Sequence, residues 1–152
     1  MKLLVTGATG QLGSLVVKHL LKKVPAEQIA VSVRDPQKAA HLKEAGVDVR
    51  RGDFTQPDTL KAAFQDIDRL LIISTADGDR VQQHTAAIQA AKAAGVSFIA
   101  YTSVVSARKS QLVLAHDHAK TEEAIVEVVS YSIHSLQDSF FQQIDTFQAL
   151  DL

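Results

Sequence analysis

The sequence predicts an α/β fold built on a doubly wound parallel sheet of five to six strands. Short apolar runs alternate with stretches of helical periodicity, and several runs are apolar on both faces. Such runs are typical of parallel strands, because helices cover both sides of their sheet. A glycine-rich turn joins the first run to the first helical stretch. The predicted strands span residues 3–6, 29–33, 47–51, 70–73 and 98–102.

Helical stretches separate these strands. In the first, Leu12, Val16 and Leu20 recur every four residues, on one face of a helix that can pack on a sheet. The predicted helices span residues 12–24, 37–45, 59–64 and 81–94. Residues suited to helix ends flank them: Gly46 and Gly95 as left-handed C-terminal residues, Asp58 as N-cap of the third helix, and Asp77 or Asp79 as N-cap of the fourth.

Composition favours an ordinary globular protein and excludes several functions. The 152 residues are 46% apolar and 22% charged, which suits a single domain over residues 1–152. A net charge of −1 argues against a nucleic-acid surface, which needs clustered Lys and Arg. The absence of cysteine excludes thiol chemistry and fits a reducing compartment. No stretch approaches the roughly 20 apolar residues that cross a bilayer, so we expect a cytoplasmic protein without membrane association.

Three glycines follow directly on the first strand. Gly7, Gly10 and Gly13 form a G-x-x-G-x-x-G pattern between a predicted strand and a predicted helix. The first permits a tight turn, the second lets the backbone approach a pyrophosphate, and the third lets the helix pack on the strand. N–H groups at the helix start then face the anion. The pattern predicts a dinucleotide-binding domain of the Rossmann type, and its alternative is a glycine-rich turn without a ligand.

The end of the second strand indicates which nicotinamide cofactor binds. An acidic side chain there bonds the free ribose hydroxyls of NADH, whereas an arginine pairs with the 2′-phosphate of NADPH. Residues 29–33 run directly into Arg34, with Lys38 four residues on, so we predict NADPH. The adjacent Asp35 keeps NADH as an alternative cofactor. In a further alternative, Arg34 and Lys38 are solvated surface charges.

Asp53 and Phe54 close the third strand. At that place a carboxylate can accept a hydrogen bond from the adenine amino group, while the neighbouring aromatic ring flanks the base. We therefore include both residues in the predicted cofactor site. The alternative is that Asp53 caps a turn before Thr55.

Six short motifs, taken in order, resemble one family of reductases. The chain is similar to the NmrA-like branch of the atypical short-chain dehydrogenase/reductases, and within it to the bacterial type 2 NAD(P)H:quinone oxidoreductases. The similarity covers roughly residues 1–125. The motifs are TGATGQLG at 6–13, VRDP at 33–36, GDF at 52–54, AAKAAGV at 90–96, FIAYTS at 98–103, and residues 116–122 with the pair Thr121-Glu122.

The resemblance implies an NADPH-dependent oxidoreductase that reduces a small molecule, a quinone, by direct hydride transfer without flavin or metal. It places Ser74 and Thr75 against the ribose beside the nicotinamide, and the segment 101–103, with Thr102 as the predicted cofactor residue, near the nicotinamide itself. Each is also an ordinary strand-end residue, which is the alternative. Around the pyrophosphate and the 2′-phosphate the resemblance implies Gly7, Thr9, Gly10, Gln11, Leu12 and Arg34.

The catalytic residues of typical short-chain dehydrogenases are only partly matched. Their Tyr-x-x-x-Lys pattern corresponds here to His116 and Lys120, so an imidazole stands where the phenol acid would be. Ser103 is the third candidate, as a hydroxyl that faces the substrate. The alternatives are a polar helix residue for His116 and a common strand-end residue for Ser103. The missing tyrosine counts more against carbonyl reduction than against quinone reduction, because quinol oxygens can take protons from water.

Histidines near the C-terminal helix do not predict a metal site. His116 and His118 flank Asp117, but positions two apart on a helix face different directions, and no thiol or carboxylate cluster completes a ligand shell. His84, at the start of the helix after the fourth strand, is expected on the cofactor side. A capping or surface role is its alternative.

The resemblance ends near Ile125, so residues 126–152 form a divergent tail without the usual C-terminal substrate lobe. Residues 131–136 are predicted as a sixth strand. An open cofactor groove would expose apolar surface and favour a homo-oligomer. The alternatives are a truncated product, a short protein that dimerises, an incomplete chain, and a non-catalytic NADP(H)-binding redox sensor. The segment predicted to join two copies carries Phe140, Phe141, Ile144 and Phe147.

Overall fold

The computed structural model describes residues 1–75, 77–104 and 106–128. Strands and α-helices alternate along these ranges, and short 3₁₀ turns occupy Ala26–Gln28 and Pro36–Ala39. The predicted sixth strand and the aromatic segment lie outside the described residues. The elements are β1 (Leu3–Thr6), α1 (Gln11–Leu20), β2 (Ile29–Val33), α2 (Ala40–Glu44), β3 (Asp48–Arg51), α3 (Pro57–Ala63), β4 (Arg69–Ile72), α4 (Arg80–Ala93), β5 (Phe98–Tyr101) and α5 (Ala115–Val128).

The five described strands form one parallel sheet in the order β3-β2-β1-β4-β5. At the centre, Leu4 of β1 pairs with Ala30 of β2 on one side and with Leu70 of β4 on the other. The chain builds outward from β1 to β3 and then crosses to the opposite side of β1. This reversal creates a crevice at the carboxyl ends of β1 and β4, where α/β sheets bind ligands. The predicted fold class is confirmed.

Two apolar layers enclose the sheet. Leu3 and Val5 of β1 pack in one layer with Val17 of α1, whereas Leu4 packs in the other with Ile88 of α4. Alternate residues of a strand point to opposite faces, so a strand covered on both faces is apolar throughout. All four residues of β1 are buried. This double burial fixes the strand ends from which the functional residues project.

Local signals at the helix ends are mostly confirmed. Gly46 and Gly95 have φ values of +89° and +78°, the left-handed conformation that glycine adopts most easily. Asp79, one of the two residues predicted to cap the fourth helix, accepts a hydrogen bond from the Gln82 backbone N–H at 3.0 Å. Asp79 is therefore the N-cap of α4.

The prediction of Asp58 as an N-cap is wrong. The N-cap of α3 is Gln56, and Pro57 begins the helix, which leaves Asp58 inside the first turn. Proline suits the first helical position because its fixed φ is helical and its missing N–H would have no partner there. The first predicted helix also ends earlier, at Leu20, and turns carry the chain on to residue 24.

Among the described residues, no helix combines the length and the apolar character that a membrane crossing requires.

Candidate functional site

The glycine turn lies at the carboxyl end of β1. Gly7 has a φ of +63°, and its carbonyl oxygen accepts a hydrogen bond from the Gly10 N–H at 3.0 Å. The Gly10 carbonyl then accepts from the Ser14 N–H at 3.0 Å, which begins the hydrogen bonding of α1. A left-handed residue followed by a tight turn reverses the chain within a few residues, so α1 starts directly above the strand end.

At Gly13 the backbone of α1 packs directly against the backbone of the glycine turn. A Cβ atom there would overlap the carbonyl group of Gly7 and lie 2.8 Å from the Cα of Ala8. Gly10 is less restricted, because a Cβ there would meet only the Gly7 oxygen, at 3.3 Å. The third glycine of the pattern thus allows α1 to pack against the turn, the role that the sequence predicts for it.

The first turn of α1 has the features of an anion site. The N-cap residue is Gly10, which offers no side chain to the free N–H groups, and no acidic residue occupies the first turn. The basic residues Lys18 and His19 lie in the last turn, at the other end of the helix. The positive end of the helix dipole and its free N–H groups therefore face the crevice.

A cleft of about 720 Å³ opens beside this turn, along the carboxyl ends of the central strands. Its volume is in the range of small-molecule and cofactor pockets. It brings together most of the predicted cofactor residues, namely Gly7, Thr9, Gly10, Arg34, Lys38, Asp53, Phe54, Ser74 and Thr75. The cleft is also lined by residues that were not predicted to contact the cofactor, among them Thr6, Ser32, Asp77 and Gln83.

Four predicted cofactor residues are outside the cleft lining. Gln11, Leu12 and Gly13 belong to the first turn of α1, and Gly13 is buried against the glycine turn. Thr102 follows β5 and contacts the cleft through Ser74 rather than directly. Thr102 thus supports the lining through its hydrogen bonds with Ser74.

Two cations mark the β2 end of the cleft. Arg34 and Lys38 are both exposed and line it. The neighbouring Asp35 caps the following 3₁₀ turn, where its Oδ1 accepts a hydrogen bond from the Gln37 N–H at 3.0 Å. Asp35 therefore has a local structural role, and because it also lines the cleft, this corner combines one carboxylate with two cations.

Asp53 forms a turn of its own at the end of β3. Its Oδ1 accepts hydrogen bonds from the Thr55 N–H at 2.9 Å and the Thr55 hydroxyl at 2.8 Å. The bond from the Thr55 backbone holds the pKa of Asp53 below its ordinary value, so the group is a carboxylate at neutral pH. The turn-capping alternative is thus present, and the contact of Asp53 and Phe54 with adenine stays a prediction.

Side chains from neighbouring elements bond the segment after β4. The Ile73 N–H donates to Thr6 Oγ1 at 2.9 Å, and the Ser74 N–H donates to Thr102 Oγ1 at 2.8 Å. These residues lie beyond the end of the β1–β4 and β4–β5 pairing. Side-chain oxygens therefore replace the missing ladder and fix this wall of the cleft.

The next N–H group of the wall is bonded by a histidine. The Thr75 N–H donates to Nε2 of His84, at 3.1 Å, and the His84 ring is 1% exposed. Its other nitrogen lies 3.2 Å from the Thr121 hydroxyl and 3.4 Å from that of Tyr101. The Tyr101 hydroxyl in turn lies 2.7 Å from His118 Nδ1. Sequence inspection missed this buried cluster of His84, Tyr101, His118 and Thr121, because its members lie on three different elements.

Burial controls the ionisation of this cluster. Burial, helped by nearby His118 and Arg80, lowers the pKa of His84 from 6.5 to about 4. Burial raises the pKa of Tyr101 to about 12. The pKa of His118 is lowered as well, again chiefly by burial. The imidazoles and the phenol are therefore neutral at neutral pH.

The predicted catalytic residues lie away from the cleft lining. His116 and Lys120 are exposed on α5, whereas His118, between them, is buried against Tyr101. The Ser103 hydroxyl is half-buried and donates to Glu122 Oε1 at 2.5 Å. Their catalytic roles stay predictions. In the part of the chain that the structure describes, no three His, Asp or Glu side chains converge as a metal site.

A switch-point crevice with a glycine turn, a helix N-terminus and two cations defines a dinucleotide-binding domain. The chain belongs to the NAD(P)H-binding family, whose sequence profile matches residues 7–139. Together with the relatives given below, this match confirms the resemblance to NmrA-like reductases that the motifs indicate.

Known relatives support this membership. Quinone oxidoreductase 2 of Escherichia coli K12 is 48% identical over 124 residues, 81% of this chain and 43% of that protein. The Escherichia coli NADPH-dependent quinone oxidoreductase QOR2, solved with NADPH, superposes with a TM-score of 0.80 at 46% identity and covers 83% of this chain and 45% of that one.

Citrobacter sp. triphenylmethane reductase, solved with NADP(H), superposes with a TM-score of 0.81 at 48% identity, over 84% of this chain and 46% of that one. An NmrA-like family domain-containing oxidoreductase of Aspergillus flavus is 32% identical over 135 residues, 84% of this chain and 44% of that protein. The chain spans less than half the length of each of these relatives.

Proposed function

We propose that the chain binds NADPH and supports reduction of a quinone by direct hydride transfer. The observation that carries the proposal is the presence of Arg34 and Lys38 in the same cleft as the glycine turn. A pyrophosphate at the start of α1 places the adenosine ribose toward β2, where the two cations can pair with its 2′-phosphate. Asp35 also lines the cleft, with one carboxylate oxygen engaged in capping the 3₁₀ turn, and it keeps NADH as the alternative cofactor.

The proposed substrate follows from the relatives and from the chemistry of the cleft. Two relatives are named as reductases of conjugated molecules, one of a quinone and one of triphenylmethane dyes, and both were solved with the phosphorylated cofactor. Bound NADPH supplies a hydride, and a quinone that accepts it takes one further proton to become a hydroquinone. Water can provide that proton, so the exposed positions of His116 and Lys120 are compatible with this reaction.

A direct assay tests the activity. The chain, mixed with NADPH and a small benzoquinone, is expected to remove the nicotinamide absorbance faster than the uncatalysed reaction. Calorimetric titration with NADPH measures binding in the same preparation. Binding without turnover would reject the reductase proposal and favour a redox sensor, and no binding of either nicotinamide cofactor would reject both.

Replacing Arg34 by alanine is expected to weaken binding of NADPH far more than binding of NADH. Loss of one charge-assisted contact costs about 1–3 kcal/mol, a change of roughly 5- to 150-fold in the dissociation constant. Paired calorimetric titrations with the two cofactors measure the difference.

The matched control is Arg51→Ala. Arg51 is an exposed arginine at the end of β3 that donates to Gln56 Oε1 and does not line the cleft. This variant is expected to keep the wild-type preference. Equal losses for NADPH and NADH in Arg34→Ala would contradict the assigned role of Arg34.

A further inference from the structure

Three successive N–H groups after β4 are each held by a side chain from a different element. The acceptors are Thr6 at the end of β1, Thr102 after β5, and His84 on α4. The two threonines cannot change charge near neutral pH, whereas an imidazole accepts at Nε2 only in its neutral form.

The surroundings of His84 select the tautomer that this contact needs. The Thr121 hydroxyl donates to the Asp117 carbonyl oxygen at 2.9 Å, so its oxygen is left to accept from His84 Nδ1–H. Because Nε2 already accepts from the Thr75 N–H and Thr121 offers an acceptor, the His84 proton resides on Nδ1. The Tyr101 hydroxyl oxygen, 3.4 Å from Nδ1, is a second acceptor within reach of that proton.

The groups packed around His84 favour its neutral form, with the exception of the Asp117 carboxylate. Phe54 meets the ring edge-on, with centroids 6.0 Å apart, and Tyr101 lies 5.3 Å away. Arg80 on α4 and His118 on α5 both disfavour a positive charge on His84, whereas Asp117 favours it. Asp117 is itself paired with Arg80 at 3.6 Å. His84 therefore keeps its acceptor throughout the neutral range.

The position of this wall in the sheet says which part of a dinucleotide it meets. β2, with Arg34 at its end, and β4, with Thr75 beyond it, lie on opposite sides of β1. A pyrophosphate at the β1 turn that sends its adenosine half toward β2 must send its other half toward β4. Thr75 and its neighbours thus border the nicotinamide half of the cofactor.

We propose that His84 is a positioning residue of this site, whose neutral imidazole holds the Thr75 backbone and so shapes the nicotinamide half of the cleft. Thr121 acts through His84 by accepting from Nδ1–H and so fixing its tautomer. This inference rests on the proposed binding of NADPH, and it assigns His84 no contact with the cofactor.

Two ligands and two variants of the full chain test the inference. NADPH fills both halves of the cleft, whereas 2′,5′-ADP fills only the adenosine half. His84→Leu, which lacks an acceptor, is expected to bind NADPH about tenfold more weakly, as for one lost hydrogen bond, and to bind 2′,5′-ADP as the wild type does. His84→Gln, whose side-chain oxygen can accept from Thr75, is expected to recover most of the NADPH affinity.

The outcomes separate the two proposals. Wild-type protein that binds neither ligand rejects the proposed function itself. If the wild-type protein binds both ligands, the variants decide the inference. Equal losses of affinity for both ligands in His84→Leu, without recovery in His84→Gln, would show that His84 is merely structural and would overturn the inference. Should His84→Leu fail to fold, nitrogen NMR of the wild-type imidazoles decides: a protonated Nε2 on His84 overturns the inference, and an unprotonated Nε2 coupled to the Thr75 amide supports it.

Discussion

Replacing Gly13 by alanine is expected to abolish tight binding of NADPH and to lower the free energy of unfolding by about 2–3 kcal/mol. The added Cβ would overlap the Gly7 carbonyl group and press on Ala8, and neither is a side chain that can rotate away. Overpacking of a buried position typically costs 1–3 kcal/mol, and backbone neighbours place this case toward the upper end. Relief requires α1 to move off the glycine turn, which displaces the N–H groups that face the anion. Calorimetric titration and denaturant unfolding measure the two effects.

Two further glycines provide graded controls. Gly10→Ala adds a Cβ 3.3 Å from the Gly7 oxygen and is expected to cause a smaller loss of binding. Gly95→Asn changes a left-handed residue at the end of α4 where a Cβ meets nothing within 4 Å, and asparagine tolerates that conformation. It is expected to bind NADPH normally. Wild-type affinity in Gly13→Ala would show that the close packing at Gly13 does not control the cofactor site.

The free energy of unfolding is expected to fall as the pH is lowered from about 6.5 to about 4. His84 has a pKa of about 4 in the folded chain, against 6.5 when it is exposed. Above this window His84 is neutral in both states and contributes no pH dependence. Within this pH window, His84 is protonated in the unfolded chain but stays neutral in the folded chain, and this difference favours unfolding. The separation of the two pKa values corresponds to about 3 kcal/mol at the acid end.

Urea unfolding at several pH values across this window measures the slope. His84→Gln has no titratable group and is expected to lose much less stability between neutral and acidic pH than the wild type. His118 adds a contribution of the same sign, because its pKa is also lowered, so the variant keeps part of the slope. The control is His41→Gln, which removes an exposed histidine from α2 and is expected to retain the wild-type slope. A slope unchanged in His84→Gln would refute this account.

Features encoded by neighbouring residues were predictable from the sequence. The glycine turn and Arg34 follow directly on apolar runs, so their places at strand ends follow once the strands are recognised. Gly46 and Gly95 likewise mark helix ends through their own backbone preference. The prediction of Asp58 as a cap was wrong because it weighed side-chain capping alone, whereas the fixed φ of Pro57 starts the helix one residue sooner.

Features that depend on distant partners were not predictable. The contact of His84 with Thr121 joins residues 37 positions apart, and nothing near either residue signals the other. The buried face of α5 was likewise not predictable from the sequence. Spacing alone draws attention to His116 and Lys120, but the packed face of the helix carries His118. A helix with few apolar residues does not reveal which face it buries until its neighbours are in place.

The two halves of the cleft are built from different parts of the chain. The glycine turn, Arg34 and Asp53 all lie within the first 53 residues, in strands that pair with near neighbours. The opposite wall takes its shape from Thr102 and from His84, whose own tautomer depends on Thr121. During synthesis from the N-terminus, the adenosine side can therefore be assembled first, whereas the nicotinamide side must wait for the fifth strand and the helix after it to emerge.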